Sequence, residues 1–308
     1  MRNSFVKALY EIAKNDKNVF LVSGDMGYSV FETFQHDFPT KFINVGVAEA
    51  NMTGIAAGLA LSGKIAFTYS IVPFVTMRCF EQVRDDVCYQ NANVKLVGSG
   101  GGLVYGSLGP THHSIEDISI MRSLPNMVVI CPGDPIETDL ATKAAYKHPG
   151  PVYIRLGRGG DPIVHKIKPD FVIGKSILVI DGDDLVIIST GNTLDLAKIV
   201  CLNLNKKGIS VGLISMHTVK PIDKDAIIKF AEKVKAIFTI EEHSVIGGLG
   251  TAVAEILAEY EKQVVFRRIG LPDSFCKYIG SHKYLREKSG LGLQDVESYI
   301  IKTFTDIK

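Results

Sequence analysis

Apolar segments of strand length alternate with amphipathic segments of helix length from the start of the chain. In the first half the apolar segments cover residues 19–23, 42–45, 64–69, 94–97, 127–130 and 152–155. Strands separated by helices in this way predict a parallel sheet covered by helices. Ligands of such sheets bind beyond the carboxyl ends of the strands. We therefore expect the functional edge in the loops that follow Ser23, Val45, Tyr69 and Val97.

The same alternation returns in the second half, with apolar segments at 185–189, 211–214, 236–240 and 264–269. Between the halves it breaks in a stretch rich in Gly and Pro, GRGGDPIVHKIKPDFVIGK, which begins at Gly157. Such a stretch is typical of a connection between domains. The prediction is an α/β protein of two domains, each a mostly parallel sheet covered by helices. The first domain covers residues 1–160, a linker covers 161–178, and the second domain covers 179–308.

Composition and charge exclude several classes of function. The 308 residues are 46% hydrophobic and 22% charged, with a formal net charge of +1. A nearly neutral chain is a poor electrostatic partner for nucleic acid or a membrane surface. The chain contains no run of about 18 apolar residues, so the sequence predicts no membrane-spanning helix. The five cysteines are scattered and form no C-x-x-C pair, so we expect reduced thiols, a cytoplasmic location and no metal site.

One carboxylate is notable because so few polar groups follow it. Glu49 opens a predicted helix over residues 50–62 that is rich in Ala and Gly. Apart from Asn51, no polar side chain larger than Ser or Thr follows until Lys64. Two interpretations remain open. Glu49 caps its helix, since carboxylates suit helix N-termini, or it is a buried acid kept neutral so that it can donate a proton or a hydrogen bond.

The stretch around Glu49 resembles a known family. VGVAEANMTGIAAGLALSG, followed by AFTYS, Phe74 and RCFEQVRDDV, is similar to the pyrimidine-binding domain of the transketolase family of thiamine diphosphate enzymes. TIEEHSVIGGLGTAVAEILAE and GLPDSF are similar to the C-terminal domain of that family. The resemblance implies that Glu49 contacts N1′ of the cofactor's aminopyrimidine ring. It also implies that Phe74, with Tyr69 and Phe80 nearby, forms the aromatic wall beside that ring.

The glycine-rich loop GSGGGLVYGSLGPTHHS contains two adjacent histidines. By itself the loop matches no phosphate-loop spacing, and a flexible turn is the simpler interpretation. The family has a Gly-Pro-Thr-His segment over the cofactor and substrate, and residues 109–112 match it. The resemblance implies that His112 bonds the substrate carbonyl or moves a proton. His113 could contact substrate or a partner, or be a solvated loop residue.

Two positions of this loop depart from the sugar-phosphate transketolases that it resembles. Leu108 stands where those enzymes have an aspartate, and Gly100 stands where they have a histidine. In those enzymes the aspartate recognises the configuration of a substrate hydroxyl group. We therefore expect a substrate with fewer or differently placed hydroxyl groups, or contacts supplied by a partner chain.

Other polar residues resemble the substrate and cofactor contacts of the family. YIRLGRG is similar to the arginine segment of the family, which holds the substrate phosphate. The resemblance favours Arg158 for this contact, and Arg155 is either a second contact or a structural residue. A planar guanidinium suits phosphate binding because it can bind two oxygens at once. An interdomain salt bridge is the alternative. Asp25 and Ser29 match an aspartate–serine pair near the cofactor and the phosphate, although Asp25 could simply cap a helix.

A further cluster, Glu241-Glu242-His243, has the residue types of a metal site. Consecutive residues at a strand end point in different directions, and the family has no metal there. We interpret these three as turn and interface residues, and His217 in the same way.

The resemblance lacks one part of the family pattern. Full-length relatives carry a separate domain that binds the diphosphate through Mg²⁺ with a Gly-Asp-Gly…Asn segment, and this chain shows none. Our hypothesis is the C-terminal subunit of a split, thiamine diphosphate-dependent transketolase that transfers a two-carbon ketol unit from a ketose, such as a sugar phosphate, to an aldose. An N-terminal partner subunit would hold Mg²⁺ in an α2β2 assembly. The alternatives are a 2-oxo-acid dehydrogenase β subunit, a deoxyxylulose-phosphate synthase, and a non-catalytic scaffold or regulatory homologue.

Overall fold

A seven-stranded sheet forms the centre of the first half of the chain in the computed structural model, which describes residues 1–307. Its order is β10-β5-β6-β4-β3-β1-β2, and every pairing is parallel except that of β10 with β5. The strands are β1 (Val19–Ser23), β2 (Phe42–Asn44), β3 (Ile65–Ile71), β4 (Val94–Ser99), β5 (Val128–Ile130), β6 (Val152–Leu156) and β10 (Thr218–Lys220).

Helices cover both faces of this sheet. They are α1 (Arg2–Asn15), α2 (Glu32–Asp37), α3 (Glu49–Leu61), α4 (Val72–Thr76), α5 (Phe80–Gln82, which continues in a wider π turn over Val83–Tyr89), α6 (Asp117–Ser123) and α7 (Pro135–Lys147). Asp134 caps α7, because its side chain accepts a hydrogen bond from the backbone N–H of Glu137 at 2.7 Å.

The second half forms a five-stranded sheet of order β12-β11-β8-β9-β7, in which only the pairing of β7 with β9 is antiparallel. Its strands are β7 (Ile177–Ile180), β8 (Leu185–Ser189), β9 (Val211–Ser215), β11 (Ala236–Ser244) and β12 (Val265–Leu271). Its helices are α8 (Leu194–Lys206), α9 (Lys224–Lys233), α10 (Leu249–Ala258), α11 (His282–Lys288) and α12 (Leu293–Thr305). The predicted α/β class with two mostly parallel sheets is confirmed.

The segment that follows β9 connects the two sheets. The N–H of Met216 donates to the carbonyl of Ser189 in the second sheet, while the N–H of Cys131 donates to the carbonyl of His217. Strand β10 then pairs with β5 at the edge of the first sheet. Residues that follow the predicted linker in sequence therefore complete the sheet of the first half, which the sequence pattern did not indicate.

The two faces of β3 decide which side chains reach the functional edge. Tyr69 points to the face covered by α1, where its ring stacks on that of Phe5 with centroids 5.9 Å apart. Ser70, the next residue, points to the opposite face, where α3 packs and Glu49 lies. This alternation is the ordinary period of a strand. None of the helices within residues 1–307 is both long and apolar enough to cross a bilayer.

Candidate active site

Glu49 is the first residue of α3 and is 1% exposed. Its side chain does not cap the helix, because no side-chain cap bond forms at this end and Ala48 is the N-cap residue. Instead, Oε1 accepts a hydrogen bond from the hydroxyl group of Ser70 at 2.8 Å. The predicted burial is therefore present, and the helix-cap interpretation has no support in the structure.

Arg78 is the second partner of Glu49. Its Nη1 donates to Glu49 Oε2 at 2.7 Å, and the Arg78 side chain is 43% exposed. Arg78 was not among the residues that the sequence singled out, and its charge bears against the interpretation of Glu49 as an acid kept neutral in this state. A buried carboxylate needs such a partner because an uncompensated charge is costly away from water.

The same guanidinium covers the ring of Phe74. Arg78 Cζ lies 4.1 Å from the centroid of that ring, which is the geometry of a cation–π contact. Phe74 lies on α4, after the carboxyl end of β3, and is half-buried. The carboxylate of Glu49 and the face of Phe74 are therefore held by one planar, hydrogen-bonding cation.

His112 meets Phe74 from another side. The two rings are 5.3 Å apart between centroids in an edge-to-face arrangement, and His112 is half-buried. Its Nδ1 is 3.0 Å from the hydroxyl oxygen of Thr111. Loops after β2, β3 and β4 thus bring Glu49, Phe74 and His112 to one edge of the sheet, as the sequence predicted for that edge.

His113 lies in a different environment from its neighbour. It is buried, and burial lowers the pKa of its imidazole. It lines a small cavity of about 130 Å³ between the two halves, beside Pro110 and Cys276. The solvated-loop interpretation of His113 is therefore wrong.

The two arginines of YIRLGRG have different environments. Arg155 is buried, and its Nε donates to Asp117 Oδ2 at 2.8 Å. Its Nη2 donates to the backbone carbonyls of Ser114 and Glu242, which joins the two halves. The ion pair of Arg155 with Asp117 lies within the first half, and only the hydrogen bond to the Glu242 carbonyl crosses to the second half, so the charged pair is not an interdomain salt bridge.

Arg158, by contrast, is exposed, and its guanidinium lies over the ring of Tyr105 at 5.3 Å. It lines an interdomain cavity of about 360 Å³.

Two models of protein-family domains match this chain. The family model described as transketolase, pyrimidine binding domain, matches residues 1–160, and the one described as transketolase, C-terminal domain, matches residues 174–295. The chain belongs to the transketolase family. Both parts of the resemblance stated from the sequence are confirmed.

Several transketolase subunits are similar to this chain over nearly their whole length. One of the subunits of the apulose-4-phosphate transketolase of Phocaeicola vulgatus is 40% identical over 94% of this chain and 94% of its own length. A 6-deoxy-6-sulfo-D-fructose transketolase subunit of Clostridium sp. (strain MSTE9) is 40% identical over 96% of this chain and 92% of its own length. A split-gene transketolase solved as an inactive β4 tetramer has a TM-score of 0.89 and 36% identity, covering 99% of this chain and 97% of that one.

Two aromatic residues that we assigned to the cofactor wall of the transketolase fold do not join Phe74. Tyr69 is buried against Phe5 and Phe31 on the opposite face of β3, and burial raises the pKa of its hydroxyl group to about 12. Phe80 packs, partly buried, against the apolar cluster under α3. Tyr69 is therefore removed from the candidate site, because adjacent residues of a strand face opposite sides.

Asp25 and Ser29 lie in the exposed turn after β1, and both have positive φ values, 56° and 60°. Asp25 exchanges hydrogen bonds with the Asn44 side chain at the end of β2. The backbone N–H of Ser29 is bonded to Glu32. Asp25 caps no helix, and the two side chains remain predictions as cofactor and substrate contacts.

Gly100 and Leu108, the two departures from the sugar-phosphate enzymes, have separate structural explanations. Gly100 has a φ of +83°, and a Cβ atom there would collide with the Tyr105 ring. That ring occupies the space in which a larger residue 100 would lie. Leu108 is 51% exposed at the functional edge.

Glu241, Glu242 and His243 are buried in β11 and point to different partners. Glu241 accepts the backbone N–H groups of Leu249 and Gly250 at the start of α10. Burial nevertheless raises the pKa of Glu241 to about 7. Within residues 1–307, no group of three or more His, Cys, Asp or Glu side chains is arranged to hold a metal ion.

Glu242 binds His282 and Arg286 of α11. Burial works against ionisation of Glu242, but the Arg286 guanidinium and the hydrogen bond from His282 lower its pKa. His217, the other residue that we judged structural, is buried, and its ring stacks on that of Phe171 at 3.8 Å.

Sequence reasoning missed Arg78 and His282. Arg78 stands four residues after Phe74, in a stretch that resembles the family. This spacing of four residues between a cation and an aromatic ring was the sequence signal that could have indicated their contact. His282 gave no local signal, because only the packing of α11 against the first half brings it near Arg158.

Proposed function

We propose that this chain is the C-terminal subunit of a split transketolase that uses thiamine diphosphate. The supporting observation is the arrangement at the edge of the first sheet. One planar cation there satisfies the buried carboxylate of Glu49 and stacks on Phe74. A flat heterocycle that carries a hydrogen-bonding nitrogen has the same requirements.

The residues present fit the aminopyrimidine ring of that cofactor. Glu49 would hold the ring nitrogen, with its own orientation fixed by Ser70, and Phe74 would support the ring face. Gly24 leaves room on the other side of the carboxylate, since a Cβ atom there would lie 3.3 Å from Glu49 Oε1. When bound, thiamine diphosphate supplies the electron sink for cleavage of a bond next to a carbonyl group.

Two residues of this chain then have defined tasks. Glu49, removed from water, exchanges a proton or hydrogen bond with the ring nitrogen in a medium where such interactions are strong. His112, held beside Phe74, offers an imidazole that can donate a hydrogen bond or a proton to the carbonyl oxygen of the substrate.

We propose a partner subunit that holds Mg²⁺ and the diphosphate, in an α2β2 assembly. Three large apolar side chains are exposed in loops at the functional edge: Tyr28 at 92%, Val47 at 70% and Leu108 at 51%. Exposed apolar groups near a site often mark a protein interface. The related split-gene chain that assembled only with itself, as a β4 tetramer, was inactive, which agrees with a requirement for the second chain.

The substrates that we propose are a ketose donor and an aldose acceptor, between which a two-carbon ketol unit passes. The names of the related subunits describe transketolases of a sugar phosphate and a sulfo-sugar. Donor and acceptor that carry an anionic group are therefore the first to test.

The deciding experiment combines this chain with a candidate N-terminal chain that carries the Gly-Asp-Gly…Asn segment. We expect thiamine diphosphate to bind the mixture tightly in calorimetry with Mg²⁺, and to bind this chain alone poorly. Ketol transfer from hydroxypyruvate to a panel of aldoses should require both chains. Tight stoichiometric binding to this chain alone contradicts the split arrangement, and oxidative decarboxylation with a lipoyl acceptor would assign the chain to the 2-oxo-acid dehydrogenases.

A further inference from the structure

The loop that carries His112 connects β4 with α6 and is closed at its base. The N–H of Gly102 donates to the carbonyl of Ser114 at 2.8 Å, and the N–H of Ser114 donates back to the carbonyl of Gly102 at 2.9 Å. Residues 103–113 therefore project from a two-stranded base. The position of His112 depends on where this base is held.

The end of the loop that leaves β4 rests on Glu242, which belongs to β11 of the second half. Glu242 Oε1 accepts the backbone N–H of Leu103 at 2.6 Å. A Cβ atom on Gly102 would lie 2.3 Å from the same oxygen, so a glycine at 102 permits this approach. Glu242 is 1% exposed. A hydrogen bond shielded from water in this way is strong, and its loss is costly.

The end of the loop that leads to α6 is held by β11 as well. The N–H of Ser244 donates to the carbonyl of Ile115 at 2.8 Å. Arg155 adds a bridge, because its Nη2 donates to the carbonyls of Ser114 and Glu242 at 3.1 Å and 2.9 Å. One short segment of the second half thus holds both ends of the loop.

The carboxylate of Glu242 is itself fixed from its other side by α11. Its two oxygens each lie 2.8 Å from Nε2 of His282, and Oε2 also binds Nε of Arg286. The chain just before α11 contacts the middle of the loop, where a Cβ atom on Gly106 would lie 2.5 Å from the carbonyl oxygen of Gly280. The second half therefore holds the loop at its base and at its middle.

We infer that Glu242 is a positioning residue for the proposed ketol transfer, because through Leu103 it fixes the loop that carries His112. This inference rests on the proposed function and adds a residue of the second half to it. Glu49 and Phe74 lie on α3 and α4, outside this loop. Weakening the base of the loop should therefore displace His112 while the two proposed cofactor contacts stay in place.

The first test variant is Glu242→Gln in the assembled complex. It keeps the size of the side chain but removes the charge on which Leu103 and α11 converge. Glu241→Gln is the matched control, because Glu241 is equally buried, at 1% exposed, and its carboxylate binds the N–H groups of Leu249 and Gly250 within the second half.

The second test variant, Gly106→Ala, loosens the loop without changing any charge. Its methyl group would meet the carbonyl oxygen of Gly280 and force the loop away from the second half. Gly58→Ala is its control, since Gly58 lies on an exposed position of α3 and a Cβ atom there has nothing within 4 Å.

Hydrogen exchange of backbone amides, followed by mass spectrometry, measures the loop directly. In Glu242→Gln and Gly106→Ala, amides of residues 103–115 should exchange roughly tenfold faster or more, since exchange reports local opening. Strands β3 and β4 should exchange as in the native complex, and both controls should match it throughout. Unchanged exchange in the loop, or the same acceleration along the whole chain, overturns the inference.

Kinetics test the consequence for His112. With hydroxypyruvate and an aldose, kcat should fall about tenfold to hundredfold in both test variants, the usual cost of a misplaced catalytic group. The Kd of thiamine diphosphate should not change, because Glu49 and Phe74 are undisturbed. A joint loss of kcat and cofactor affinity, or an equal loss of kcat in Glu241→Gln, shows a merely structural role and overturns the inference.

The two measurements also separate this inference from the proposed function. If the native complex transfers no ketol unit but exchange in the loop responds as expected, the proposed reaction is wrong and the control of the loop by Glu242 stands. If the native complex transfers the ketol unit and both test variants keep its kcat, the reaction stands and the positioning role is wrong.

Discussion

The guanidinium of Arg78 and the carboxylate of Glu49 form an ion pair of 2.7 Å at the edge of the first sheet. Glu49 is buried, whereas Arg78 is partly exposed and rests on the Phe74 ring. The cation therefore uses the same carboxylate and the same ring that the proposed function assigns to the aminopyrimidine. Under the proposed function, cofactor and Arg78 would therefore compete for one position, and we expect the state with Arg78 displaced to be the one that binds.

Arg78→Met should increase the affinity of the assembled complex for thiamine diphosphate by about fivefold or more, because apparent affinity is reduced by the fraction of protein in the wrong conformation. Calorimetry with Mg²⁺ measures this directly. Arg84→Met is the control, since that arginine is exposed and pairs with Asp85. Unchanged or weaker binding in Arg78→Met shows that the arginine does not obstruct the cofactor.

Glu49→Gln should reduce kcat of the complex by about 10²–10⁴-fold, the usual contribution of a positioned proton-transfer group. The amide still accepts the hydrogen bond of Ser70, so circular dichroism and the melting curve should show a folded chain. Glu81→Gln, on an exposed position of α5, should leave kcat unchanged. Full activity of a purified Glu49→Gln complex would refute the catalytic role.

Arg155→Met should destabilise the chain by about 3–5 kcal/mol, because it leaves Asp117 buried without a charged partner. A double variant, Arg155→Met with Asp117→Leu, should recover much of this loss, since apolar replacement of a buried ion pair is often tolerated. Urea unfolding measures both. If the double variant is as unstable as the single one, the cost comes from lost packing and backbone contacts.

The Arg155–Asp117 ion pair also predicts how the free energy of unfolding depends on pH in acid. Burial alone would raise the pKa of Asp117, but the Arg155 guanidinium lowers it below its ordinary value. A carboxyl group whose pKa is lowered by folding stabilises the folded chain at pH values above its unfolded-state pKa of about 3.9. This stabilisation is lost as the pH falls through the folded-state pKa. Unfolding free energy of the native chain should therefore fall more steeply below about pH 4 than that of the double variant.

Lys95 gives a prediction at the opposite end of the pH range. It is a fully buried residue of β4 and donates to the carbonyls of His148 and Gly150, and burial lowers the pKa of its amine from 10.5 to about 7. Between these values the unfolded chain binds one proton more than the folded chain, so stability rises with pH.

The measurement compares native chain and Lys95→Met by urea unfolding at several pH values from about 7 to about 10, the interval between the two pKa values. The difference in unfolding free energy should shift in favour of the native chain by up to about 1.4 kcal/mol per pH unit. Lys7→Met, on the exposed face of α1, is the control and should show no such trend. A constant difference for Lys95→Met means that its amine keeps its charge in the folded state.

Much of the fold was predictable because it is encoded locally. The strands at Val19–Ser23 and Leu185–Ser189 have the predicted bounds. Strands β7 and β10 were not predicted, since each is only three or four residues long and is stabilised by pairing with a distant partner. Short segments of this kind carry little periodic signal.

The sequence by itself determined the alternation of strands and helices, the two sheets, and the edge of the first sheet at which the loops after its parallel strands come together. Those follow from hydrophobic period and from the rule that parallel strands present their carboxyl ends together. Only the tertiary structure decided which side chains share that edge. Tyr69 and Ser70 are adjacent in sequence, yet helix packing on opposite faces gives one to the core and the other to Glu49. Arg78 and His282 acquired their partners through contacts between separate elements, and such contacts have no fixed spacing along a chain.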